Sequence, residues 1–376
     1  MKLSKLIIAT MLVALIVLAG CNSGSNQPAP TPEATAETET TPAPTPTPAS
    51  SGLSKATVLD ASELPITGIG TTVATDIKAA KPYKIGYIAK NTTNPYMNAQ
   101  SAGVAKAGED MGFEAICQAP STGDSVEEQV RIMENMVQQG CDAIIVHCAD
   151  SNGIMPGVRA AQDEGVIVLT IGTPAAEDTF LRTGVDYYET GYTIATEMAE
   201  ALNGEGNIII LEGPPGAANA IERLNGINDA FAKYPNIKIV ASQTANFKRT
   251  EGMSVTENLL QGNSDIQGII GANDESALGA VQALKGAGIE GVLVSGFDGS
   301  VDAANAVLNG DMFESYNTDP YGSGYIAAAY AVQYLNDGTE PVGRFIPFPT
   351  ANNDPLINAE TVEGYINGNA WFNALQ

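Results

Sequence analysis

The chain has 376 residues, with 43 acidic against 18 basic side chains, a single His and a formal net charge of -25. This balance supplies no basic stripe, which excludes a protein that binds nucleic acid by neutralising phosphates. Hydrophobic residues make up 44% and aromatics only 6%, while 39 Gly and 21 Pro call for many turns and at least one unpacked stretch in a length that suits about two domains.

Lys2 and Lys5 precede an uncharged apolar run from Leu6 to Leu18, the form of a basic n-region and an h-region too short to span a bilayer comfortably. The run ends in Leu18-Ala19-Gly20-Cys21, which looks like the site where bacterial lipoprotein precursors are cut before a diacylated Cys. Residues 1–20 therefore read as a lipoprotein signal peptide and Cys21 as the lipidated residue; an ordinary signal peptide or an N-terminal membrane anchor are the alternatives. Residues 21–80 read as the lipidated Cys and a disordered Pro/Thr-rich tether, because the stretch from Asn22 to about Ser51 has too little large apolar surface to offset its ordering entropy. Val58, Leu59 and Leu64 leave open a short packed piece before the folded body, which is expected from Lys81.

From there short apolar runs alternate with amphipathic stretches. Strands are predicted at residues 84–89, 113–118, 143–147, 166–171, 207–211, 237–243, 267–271 and 292–297, with late ones at 313–317 and 344–348. Val126, Val130, Met133 and Val137 recur on one helix face between two of them. Nearly continuous apolar strands separated by helices argue for parallel sheets covered on both faces, so the class is α/β. The rhythm breaks between Thr173 and Gly191, which favours two Rossmann-like lobes over one large sheet. A closed eight-fold barrel is the rival, disfavoured by the irregular spacing of the late strands.

Catalytic and cofactor motifs are mostly eliminated by context. Gly286-Ala287-Gly288-Ile289-Glu290-Gly291 follows a helix and precedes a strand, so it reads as a helix C-cap and not as a dinucleotide cradle. Gly213-Pro214-Pro215-Gly216 lacks the Lys and Ser/Thr of a nucleotide loop. His147, the lone imidazole at a strand end, reads as packed, with a ligand contact as the alternative. Cys117, Cys141 and Cys148 match no metal spacing and read as small buried hydrophobes. No cofactor and no metal are expected.

What remains lies at the carboxyl ends of the strands, where open parallel sheets bind ligands. The pieces are Lys90-Asn91-Thr92-Thr93-Asn94-Pro95-Tyr96-Met97, then Phe247-Lys248-Arg249, then the Asn273 to Ala280 segment Asn-Asp-x-x-Ala-x-Gly-Ala, and Gly296-Phe297-Asp298-Gly299. In this order and spacing the chain resembles the type I periplasmic sugar-binding proteins, close to the ribose-binding branch, from about Lys84 to the C-terminus. The resemblance implies two lobes joined by three crossovers near 184–186, 317–319 and 350–352. Residues 81–186 with 319–350 would form the N-terminal lobe, and 187–318 with 351–376 the C-terminal lobe. It carries over Asn94, Tyr96, Phe247, Asn273 and Asp298 as ligand-facing positions; their carboxamides and carboxylate suit vicinal hydroxyls, and the rings of Tyr96, Phe247 and Phe297 suit the C–H side of a sugar. Asp274 reads as a helix N-cap, Phe297 alternatively as lobe core, and Arg223 and Arg249 as structural.

Three departures from the ribose binders bear on ligand identity. Their Asp-Arg pair is Gly172-Thr173 here, a second binding Arg is Ile221, and the Gln read as lying on the last crossover is Thr318 beside Asn317. Thr173 and Thr318 then become weaker polar contacts, and a pentose held as ribose is held is not expected. The resemblance implies a monomeric, lipid-anchored, extracytoplasmic solute-binding protein, not an enzyme, that delivers a small neutral carbohydrate to an ABC transporter permease. The alternative is a sensory binding protein presenting a sugar-like or furanone signal to a membrane receptor. A related transcription repressor would need a basic helix-turn-helix where the tether stands, and a secreted hydrolase would need a nucleophile and base.

Overall fold

The computed structural model describes residues 58–59, 66–68, 70–341, 345–347, 355–368 and 370–375. The predicted signal peptide, Cys21 and the Pro/Thr-rich run to Ser51 lie outside the described residues.

Two six-stranded sheets organise the chain. Counting the strands of these sheets alone, the first contains β1 (Lys84–Ile88), β2 (Glu114–Gln118), β3 (Ala143–Val146), β4 (Ile167–Ile171) and β5 (Leu181–Gly184). The second contains β6 (Glu205–Glu212), β7 (Asn236–Thr244), β8 (Gly268–Gly271), β9 (Leu293–Asp298) and β10 (Glu314–Asn317). β11 (Phe345–Pro347) then returns to the edge of the first sheet and β12 (Leu356–Ile357) to the edge of the second. The helices are α1 (Pro95–Met111), α2 (Val126–Gln138), α3 (Met155–Asp163), α4 (Tyr187–Ala201), α5 (Ala218–Phe231), α6 (Arg249–Gly262), α7 (Asp274–Ala287), α8 (Val301–Leu308), α9 (Pro320–Asp337) and α10 (Val362–Asn367).

The first sheet runs β11-β5-β4-β3-β1-β2, all parallel, and the second β7-β6-β8-β9-β10-β12, parallel except for β12. All four residues of β3 and of β8 are buried, because helices cover both faces of each sheet. Two sheets, not a closed barrel, account for the strand series. The chain crosses from the first to the second after β5, returns after β10, and crosses again between β11 and β12. In each sheet the winding direction reverses once, between β1 and β3 and between β6 and β8. The crevice at such a switch point is where the loops beyond the strands splay apart.

Three sequence expectations change here. Leu181–Gly184 is a strand inside the stretch read as an interruption. The tether ends earlier than residue 80: Val73 and Ile77 are buried in the first-lobe core, and the Gly70 N–H donates to Asp319 Oδ2 at 2.6 Å beside the second crossover. These apolar side chains are few but evenly spaced, and a core already built by α1 and α9 takes them in. Finally, the turn Trp371–Leu375, grouped by sequence with the second lobe, lies against α1 and α9 of the first while Trp371 Nε1 donates to the Asp298 carbonyl at 2.9 Å.

Candidate ligand-binding cleft

A cavity of about 260 Å³ lies where the loops after β1 and β3 meet those after β6, β7, β8 and β9. Asn94, Tyr96, Phe247, Asn273 and Asp298 all line it. Lys90, His147, Tyr187, Asn219 and Arg223 complete its inner wall.

On the first-lobe side the wall is held rigid. Gln129 of α2 ties the ends of β1 and β3 together, its Nε2 donating to the carbonyls of Ala89 (2.9 Å) and His147 (2.8 Å) while its Oε1 accepts from the Ala149 N–H at 2.8 Å. Asn94 is the N-cap of α1, accepting from the Tyr96 N–H at 2.9 Å, with Pro95 at the first helical position. Tyr96 is buried and stands edge-on to His147, ring centroids 5.9 Å apart. Gln100 Oε1 accepts from Tyr87 Oη and from His147 Nδ1, each at 2.9 Å, which assigns the imidazole proton to Nδ1 and leaves Nε2 as acceptor. Burial, reinforced by Lys90, holds this histidine well below its usual pKa, so it is neutral. His147 thus belongs to the cavity wall, not to the core alone. Gly172 makes room for it: with φ +66 and the imidazole against its Cα, any Cβ there would meet the ring at 2.1 Å.

Thr173 is buried behind this wall, donating to Asn219 Oδ1 at 2.9 Å and lying 3.3 Å from His147 Nε2. Thr318 is buried one residue past β10, beside the Tyr96 phenol. Neither is in the lining: Thr173 steadies Asn219 of the wall, and the buried Thr318 Oγ1 makes no hydrogen bond to a lining side chain.

On the second-lobe side, Asn273, not Asp274, caps α7, its Oδ1 accepting from the Ser276 N–H at 3.0 Å. Asp274 is the first helical residue and is spent internally, accepting from Ser315 Oγ at 2.6 Å and the Ser300 N–H at 2.7 Å. Phe247 sits at φ 59, and Asn273 Nδ2 donates to its carbonyl at 3.3 Å, fixing the ring at the cavity edge. Asp298 has φ 116, an uncommon conformation for a residue with a side chain, of the kind that persists at functional sites when the surroundings over-determine it. Phe297 is fully buried and corrects the expectation of a ligand-facing ring: successive residues of β9 point to opposite faces, so with Asp298 at the cavity Phe297 enters the core.

Arg223 is the main residue that sequence reasoning placed elsewhere. It is 2% exposed, its guanidinium lies 4.1 Å over the Phe297 ring and 5.2 Å from that of Tyr187, and it donates to the Ala272 carbonyl. The signal was available, since it interrupts an otherwise apolar stripe of α5 that runs through Ala220, Ile227 and Ala230. Arg249 also lines the cavity, bridging Glu275 and Asp302 at 2.7 Å each. Burial and the neighbouring Asp274 push the Asp298 carboxyl above its ordinary pKa, with Arg223 opposing them. Cys117 is exposed, against the expectation that all three thiols are buried.

The lobes also touch directly beside the cavity. The Ser151 N–H donates to the Gly216 carbonyl at 3.0 Å, the Ala218 N–H to Ser151 Oγ at 3.2 Å, and Arg182 of β5 holds Glu222 of α5 through two bonds of 3.2 and 2.7 Å. The result is a half-open chamber of mixed polar and apolar lining, edged by aromatic rings and fed by both lobes. It can hold a small polyhydroxylated molecule by many hydrogen bonds at once. Among the described residues no group of three His, Cys, Asp or Glu side chains is placed to hold a metal ion.

Residues 85–340 match the family described as periplasmic binding protein domain. The chain is 33% identical over 258 residues to the ribose import binding protein of Bacillus subtilis, covering 68% of this chain and 83% of that one. It is 39% identical over 194 residues to the xylitol-binding protein of Mycolicibacterium smegmatis, covering 51% of this chain and 55% of that one. Among solved structures, a periplasmic solute-binding protein of an ABC transporter from Actinobacillus succinogenes, with bound D-allose, superposes with a TM-score of 0.70 at 34% identity over 76% of this chain and all of that one. Together with the paired switch points and the cavity between them, the match over most of the folded body shows that the chain belongs to the type I periplasmic sugar-binding protein family.

Proposed function

We propose that the protein is an extracytoplasmic receptor that closes its two lobes around a monosaccharide-sized carbohydrate and hands it to the permease of an ATP-driven importer. The observation that carries this reading is the chamber itself, in which Asn94, Asn273 and Asp298 supply hydroxyl-matching polar groups while Tyr96 and Phe247 supply apolar edges. The relatives named for ribose and xylitol, and the solved solute-binding protein with D-allose bound, support the carbohydrate class. The family consists of binding proteins, and the side chains here serve recognition, not turnover. In this reading Cys21 is the lipid anchor, residues beyond it are the tether, and the receptor acts as a monomer at the outer face of the cytoplasmic membrane.

A thermal-shift screen of the purified protein against pentoses, hexoses, polyols and nucleosides tests the carbohydrate reading. A true ligand raises the melting temperature in a concentration-dependent way, because it binds only the folded state. A panel in which only nucleosides, or none, shift the transition would overturn it. Anchoring is tested separately, by loss of lipid incorporation and release of the protein from membranes in Cys21→Ala.

A further inference from the structure

Lys90 stands at the carboxyl end of β1 with its side chain in the cavity wall and only 4% exposed. Its ammonium lies 5.2 Å over the Phe247 ring, which the second lobe brings across the cleft. The other cations of the lining are matched. Lys248 pairs with Glu251 at 3.1 Å, Arg249 with Glu275 and Asp302, and the carboxylate acting most strongly on Arg223 is Asp298. Lys90 is in no ion pair among the described residues, and Asp298, which also acts on it, is the carboxylate already acting most strongly on Arg223. The carboxylate that acts on it most, Asp124, is half-exposed at the rim with Oδ1 accepting from Asn91 Nδ2 at 2.9 Å. His147 beside it is neutral and adds no negative charge.

A buried ammonium has three donors, no acceptor and a large desolvation cost, and an aromatic face compensates only part of it. The missing counter-charge therefore comes with whatever fills the cavity. One unmatched cation calls for one negative charge, which suits a carboxylate better than a phosphate dianion.

We infer that the cleft selects a monosaccharide acid of the aldonate or uronate class, with its carboxylate on Lys90 Nζ and its hydroxyls on Asn94, Asn273 and Asp298. The inference rests on the carbohydrate-receptor reading and departs from the neutral ligand that the sparsely charged sequence suggests. Lys90 is then the residue that sets acid against neutral sugar.

The test is calorimetric titration of the purified protein with matched pairs: xylose and xylonate, ribose and ribonate, galactose and galacturonate, glucose and glucuronate. Wild type is expected to bind at least one acid about tenfold or more tighter than its neutral partner, and Lys90→Met to bring that ratio close to one. Lys90→Gln serves the same purpose should the Met variant melt early, and raising the salt concentration should weaken only the acid in wild type. A neutral sugar that binds as tightly as its acid, or an acid preference that survives both substitutions, would overturn the inference and leave the receptor reading standing. Binding of neither member of any pair would also overturn the inference, the receptor reading then being decided by the wider sugar and polyol panel.

Discussion

Asn273 uses one carboxamide twice, capping α7 through Oδ1 and steadying the Phe247 carbonyl through Nδ2 while facing the cavity. The two roles separate by substitution. Asn273→Ser keeps an oxygen suited to the cap, so the melting free energy should change by less than about 0.5 kcal/mol. The same variant loses the amide donor, so sugar affinity should fall by about 1 to 3 kcal/mol; paired thermal melts and titrations check both. Asn94, Tyr96, Phe247, Asn273 and Asp298 were legible in the sequence because each stands at or just past the carboxyl end of a strand, within a short local motif. Lys90 stood in the same first loop, but its burial depends on Phe247 arriving from the other lobe, which no local pattern encodes. Phe297 was misplaced through its neighbour: adjacency to Asp298 in a strand is itself evidence that the two face opposite ways.

The helix over Val126–Gln138 was readable from apolar spacing, whereas how closely two helices pack was not. The partners α4 and α5 meet at Gly191 and Gly226, where an added Cβ would lie 2.1 Å from the Arg223 carbonyl and 2.0 Å from the Tyr188 carbonyl. Gly191→Ala should force α5 outward, costing about 1 to 3 kcal/mol and weakening ligand binding by displacing Arg223; unfolding in denaturant and titration report the two effects. Strand β10 carries a buried acid, Glu314, that accepts from Ser295 Oγ at 3.1 Å. Burial, with Glu197 adding and the Ser295 bond opposing, pushes its pKa from 4.5 up to about 8. The folded state thus binds this proton more tightly than the unfolded one. Its stabilising effect is complete below about pH 4.5 and is lost as pH rises through about 8. Glu314→Gln should flatten the stability–pH curve over that window by on the order of a few kcal/mol, measured as melting free energy at pH 5 and pH 8.5. A parallel shift of the whole curve would assign the slope to other groups. Strand β5 escaped the sequence because Leu181-Arg182-Thr183-Gly184 is short and half polar, and only its pairing between β4 and β11 makes it a strand.

At the scale of the whole molecule, the alternation of strands and helices sufficed for the α/β class, since the winding of parallel sheets leaves few topologies, while the two-lobed plan rested on a break in that rhythm and on the family resemblance. Less visible was what crosses between parts. Residues 70–77 pack onto the first lobe although their composition is that of a linker, because Val73 and Ile77 meet a core built by distant helices. Trp371 reaches the Asp298 carbonyl from the end of the chain, 73 residues away. Arg182 and Glu222, from different lobes, meet beside the cleft. Each of these contacts rests on long-range geometry, and each borders either the crossovers or the chamber. Whether this chamber is a carbohydrate site is decided by calorimetric titration of wild type and Asp298→Ala with the sugars and sugar acids named above. Saturable one-to-one binding of at least one of them to wild type is expected, weakened by about 1 to 3 kcal/mol in a variant that still melts cooperatively. Absence of saturable binding by every compound, or equal affinity in both proteins, would contradict a carbohydrate site.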